Sequence, residues 1–68
     1  MPTASALLAR YAHLAAELRR DAIKLQGEPR PKNAERAAAM DAVIDQLLST
    51  AALYDAFGAA VVAKAGGQ

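Results

Sequence analysis

The sequence predicts an all-α fold: an antiparallel two-helix hairpin that dimerises into a four-helix bundle. Three observations predict it. Alanine and other good helix formers dominate, while strand formers are few and clustered at Val43, Ile44, Val61 and Val62. Two prolines, Pro29 and Pro31, separate two stretches in which apolar residues recur every three or four positions. The second stretch carries more apolar surface than the first can cover.

The 68 residues make a single domain, residues 1–68, with helix 1 over about 4–26, a loop over 27–33 and helix 2 over about 34–65. Pro2-Thr3 opens helix 1, with Thr3 or Ser5 as N-cap. Leu7, Tyr11, Leu14, Leu18, Ala22 and Leu25 form its stripe, widened by Leu8, Ala15 and Ile23. Gly27 suits the left-handed residue after a helix end, and the two prolines forbid helix beyond it. Asn33 is the N-cap of helix 2, and Glu35 suits the positive end of its dipole. Ala37, Met40, Ile44, Leu47, Ala51, Tyr54, Gly58, Val61 and Ala65 then alternate steps of three and four, a heptad seam that Gly66-Gly67 ends. Val43, Leu53 and Phe57 extend this seam sideways to an arc of about 200°.

If Leu25 sits near Glu35, then Leu18 faces Ala42, Tyr11 faces Ser49 and Leu7 faces Leu53. Helix 1 would end near residue 57, leaving helix 2 to overhang by about 10 Å. That register leaves Val61, Val62 and part of Phe57 without a cover, so Leu53, Tyr54, Phe57, Val61 and Val62 are the candidate partner-binding residues.

Composition narrows the function classes. There is no cysteine, which excludes disulfides and thiolate metal sites. The one histidine, His13, forms with Glu17 an i,i+4 pair that reads as a solvated helix pair, so neither a metal nor a cofactor is expected. No nucleophile–base set and no glycine-rich phosphate loop occurs, and an enzyme is not expected. A core of this size supplies only about 3–5 kcal/mol, so with disulfides and metal set aside a second subunit is the remaining support.

The net charge is +1, yet residues 1–36 carry seven basic and four acidic side chains, and residues 37–68 carry one basic and three acidic. This asymmetry fits either attraction between the two helices or a polyanionic partner. Arg19, Arg20, Lys24 and Arg30 are the candidate nucleic-acid contacts, but interleaved Glu17, Asp21, Glu28 and Glu35 and the lack of aromatics among them disfavour that partner. Leu47–Ala63 reaches the lower length limit of a membrane span, but Asp55 stands at its middle, so a soluble helix is expected rather than a membrane one. The carboxylate of Asp55 lies at the edge of the apolar stripe, either exposed at the rim or paired across a dimer. The N-terminus lacks a basic leader and a long apolar run, which points to the cytoplasm.

Three resemblances follow from these residues. Leu14-Ala15-Ala16-Glu17-Leu18-Arg19-Arg20, the break at Gly27 and the alanine-rich second helix are similar to the small needle-subunit chaperones of type III secretion systems, which implies a hairpin that masks another subunit. Leu47-Leu48-Ser49-Thr50-Ala51-Ala52-Leu53-Tyr54-Asp55-Ala56 resembles the small dimeric phage proteins that inhibit host regulators. The layout also resembles the plasmid copy-number hairpin that dimerises and binds RNA, a likeness of shape. The expected function is therefore a non-enzymatic protein-binding module that docks on, shields or inhibits a larger bacterial protein. The alternatives are an RNA- or DNA-binding dimer and a structural subunit of a secretion or phage assembly.

Overall fold

The computed structural model describes residues 3–66. Pro2 and Gly67, given roles at the two ends above, lie outside the described residues. The chain is an antiparallel pair of helices, α1 (Ala4–Gly27) and α2 (Ala34–Gly66), with no strand among the described residues. It forms a rod of 54 × 17 × 15 Å with a radius of gyration of 15.8 Å. A compact domain of this length has a radius of gyration near 11 Å.

Both helices begin at a side-chain cap. Of the two candidates at the first, Thr3 holds the position: its Oγ1 accepts from the Ala6 N–H at 3.0 Å. Asn33 Oδ1 accepts from the Arg36 N–H at 3.1 Å, satisfying one donor that the first turn of α2 leaves open. The end of α1 differs from expectation. Gly27 is its last helical residue and has no positive φ. Glu28 makes the exit with φ −75° and ψ 150°, and its N–H donates to the Leu25 carbonyl at 3.1 Å. The reason lies one residue on: Pro29 forces the residue before it into extended backbone, which stops the helix without a left-handed turn.

The register also differs, and with it the proposed overhang. Leu8 lies against Gly58, and Tyr11 lies between Tyr54 and Phe57. Each α1 residue thus meets α2 about seven positions later than a tight turn would place it, a displacement of roughly 10 Å at 1.5 Å per helical residue. Extended residues advance about 3.3 Å each, so the loop carries the chain well past the end of α1 before α2 begins. The uncovered end of α2 is consequently its start, where Pro29 and Pro31 lie beside Arg36, Ala39, Met40 and Val43. At the other end α1 reaches far enough for Ala4 and Leu7 to stand beside Val61, Lys64 and Ala65. Val61 is half-buried there, and it is not an overhang.

The core is thin. Ala15 and Ala22 of α1 and Ile44, Ala51 and Gly58 of α2 are the buried residues among those described. Each helix contributes a row spaced by seven, and small side chains on that row let the backbones approach closely. No described side chain larger than isoleucine is fully enclosed.

Candidate docking face

Residues seven apart on a helix share a side, so the hairpin has two long faces flanking its seam. On α2, Asp41, Leu48, Asp55 and Val62 share one flank, and Val43, Thr50, Phe57 and Lys64 share the other. Side-chain partners show what each flank meets on α1.

The first flank is polar and ion-paired. Arg19 donates to Asp55 across the helices, and Arg30 forms a two-pronged pair with Asp41, at 2.7 Å to Oδ1 and 2.5 Å to Oδ2. Hydrogen bonding and the opposite charge raise the Arg19 and Arg30 guanidinium pKa values further above their ordinary range. The Asp41 carboxyl is lowered, chiefly by its hydrogen bond to Arg30. Gln26, Glu28 and Asp45 line a polar depression on the same side of the loop end. Apolar residues interrupt this flank too: Leu48 is 40% exposed and Val62 54%, and Ile23 of α1, one turn after Arg19, is 65% exposed.

The second flank is apolar and aromatic. Tyr11, Tyr54 and Phe57 form one cluster, with ring centroids 5.8–6.0 Å apart and Phe57 edge-on to Tyr54. Offset and edge contacts of this kind add about 0.5–1.5 kcal/mol per pair beyond area burial. Even so, Phe57 remains 47% exposed, Leu53 54% and Val43 49%. Leu25, Pro29, Pro31 and Val43 extend the same face as a shallow apolar depression at the loop end.

A second stripe explains the exposure. Ala39, Val43, Gln46, Thr50, Leu53, Phe57 and Ala60 step by 4, 3, 4, 3, 4, 3, the spacing of a helix-packing seam beside the first one. The two polar members satisfy each other, Gln46 Nε2 donating to Thr50 Oγ1 at 3.3 Å. The positions of this stripe and of the adjoining Met40/Leu47/Tyr54/Val61 row carry no charge between residues 37 and 63. The charged α2 residues in that span, Asp41, Asp45 and Asp55, fall on other sides.

The five partner-binding candidates are therefore only partly brought together. Tyr54 and Phe57 touch in the aromatic cluster, Leu53 joins that side by its spacing alone, Val61 lies beside Leu7, and Val62 shares the flank of Asp55 by its seven-residue spacing. Val43 belongs with the first group and was outside the five. Its place beside Leu53 and Phe57 is in the sequence, but the expected overhang drew the five toward the end of α2, away from Val43. Arg19, Arg20, Lys24 and Arg30 are exposed, and two of the four are held by aspartates. Asp55 is thus paired within the chain. His13 Nε2 lies 3.2 Å from Glu17 Oε1, both exposed, and no group of three potential metal ligands gathers among the described residues. By length and composition alone, α2 is long and apolar enough to cross a membrane.

No protein-family model, curated protein or solved structure matches the chain.

Proposed function

We propose that this protein is a non-enzymatic protein-binding module, a helical hairpin that docks by its aromatic side on a larger protein and shields or inhibits it. One observation carries the reading: a charge-free stripe on α2 holds Val43, Leu53 and Phe57 about half exposed, at the spacing with which one helix packs on another. Monomeric proteins seldom leave large contiguous apolar surface in water without a partner for it. The likeness to needle-subunit chaperones suggests shielding, and the likeness to phage inhibitors suggests blocking, as the form the docking takes.

Two other uses draw less support. As a nucleic-acid binder the hairpin would rely on Arg19, Arg20, Lys24 and Arg30, but Arg19 and Arg30 already spend their charge on Asp55 and Asp41. As a membrane span α2 would bring Asp55 toward the bilayer centre, at a cost of at least about 2.5 kcal/mol. A cytoplasmic, water-facing module is the reading preferred.

The test is a photo-reactive residue at Leu53, activated in the native cell, with the adduct identified by mass spectrometry. The reading expects a defined larger protein in the adduct, lost when Phe57→Asp is added. Adducts that do not change with Phe57→Asp would remove the docking face from consideration.

A further inference from the structure

We infer that, when no target is bound, the aromatic face is closed by a second copy of this chain, two hairpins forming a four-helix bundle. The inference rests on the proposed docking reading and names the resident occupant of that face.

Area is the first argument. The chain exposes 5170 Å². A compact monomer of 7.1 kDa exposes about 4,100 Å², so the surplus is roughly 1,000 Å². A stable two-protein interface takes about 800 Å² from each partner. The surplus is thus the size of one such interface.

Shape is the second. The aromatic side is two helices wide. Leu7 stands beside Val61 at one end, Tyr11 touches Phe57, and Leu25, two heptads after Tyr11 on the row through Leu18, lines the depression with Val43 at the other. A face with apolar rows on both of its helices is what hairpins present to each other in a four-helix bundle.

Charge is the third. Two identical surfaces repel if they carry like charges, and on the α2 half of this one charges stand only at the two ends, Arg36 and Lys64, with none from residue 37 to residue 63. The Gln46–Thr50 hydrogen bond leaves its two polar side chains already paired.

The thin core decides between occupants. With nothing larger than Ile44 enclosed, the hairpin needs its outer face covered whenever it is folded. Another copy is present wherever the chain is made. Copy and target are then alternative occupants of one face.

The full chain should sediment and scatter light at twice 7.1 kDa, with a helix melting temperature that rises with concentration because folding and association are coupled. Phe57→Asp should halve the mass, and Val62→Asp, on the ion-paired flank, should leave it unchanged. Since Phe57→Asp can also unfold the chain, a p-benzoylphenylalanine scan supplies the second measurement. Position 43 should link two copies covalently, and position 20, on the outer side of α1, should not. A fully helical monomer at every concentration, or no link from position 43, would overturn the dimer. The docking reading would survive that result if Phe57→Asp still lost the target, and would fall with it if target capture were unchanged.

Discussion

The two long faces of the hairpin are built on the same helices, in the same heptads, and do opposite things. One flank closes with charges: Arg19 on Asp55 and Arg30 on Asp41. The other gathers rings and then leaves them half in water. Exposed ion pairs add little stability but fix which surfaces meet, because a mispaired charge is repelled. Exposed apolar surface adds stability only once something covers it. The ion-paired flank therefore reads as an outside on which charges separate the exposed Ile23, Leu48 and Val62, and the aromatic flank, where no charge interrupts the stripe, as an inside still waiting for its other half.

The sharpest way to break that contrast is to truncate one residue on each flank. Phe57→Ala removes a ring that touches Tyr11 and Tyr54 and is expected to cost about 2–4 kcal/mol by urea unfolding, toward the range for buried aromatic truncation if the face is covered. Arg19→Ala removes the guanidinium from Asp55 and is expected to lower the urea midpoint far less at moderate salt. Equal effects from the two would mean the flanks do not differ in kind.

A smaller effect of opposite sign is expected between the faces, in the seam itself. Gly58 is buried mid-helix, and a Cβ added there would meet Leu8 Cδ2 at 3.6 Å, an ordinary contact. Gly58→Ala should therefore stabilise by about 1 kcal/mol through helix propensity, read as a higher melting temperature. Gly27→Ala should stabilise by only about 0.5 kcal/mol, since helix ends fray. Its φ is not positive and nothing lies within 4 Å of the new methyl. Destabilisation by Gly27→Ala would mean that the glycine adopts a left-handed exit in solution.

How much of this was legible in the sequence depended on the range of the interaction. The helices, the Thr3 and Asn33 caps and the proline break are local, fixed by residues within one turn, and the sequence displays them. The Ala37-to-Ala65 seam is local in the same sense, and its Ile44, Ala51 and Gly58 are the buried residues of α2. The register was not legible, because it depends on how far a six-residue loop travels, and two prolines make that distance long rather than short. The conclusion that leaned on the register moved with it: Val61 came in beside Leu7. Val62 shares the flank of Asp55 by its spacing, which no register alters. The division into faces was legible only in part. The second stripe through Val43 and Leu53 is a sequence pattern, but its separation from Asp41 and Asp55 becomes visible only when Arg30 and Arg19 are seen to meet those carboxylates.

The smallest effect tests the loop that sets this register. Arg30 lies between the two prolines and grips Asp41 with both nitrogens, so the pair ties the loop to α2. The bond to Arg30 lowers the Asp41 carboxyl below its ordinary value of 3.8. A carboxyl lowered on folding contributes stability that is complete above its unfolded pKa and is lost as pH falls through the folded one. Asp41→Asn should accordingly cause the slightest shift of the series in melting temperature at neutral pH. The difference from wild type should shrink to nothing in strong acid, where the native carboxyl is protonated as well. Because the pair is exposed, added salt should shrink it too. A gap between the two proteins that persists in acid would mean that Asp41 holds the loop by shape rather than by charge.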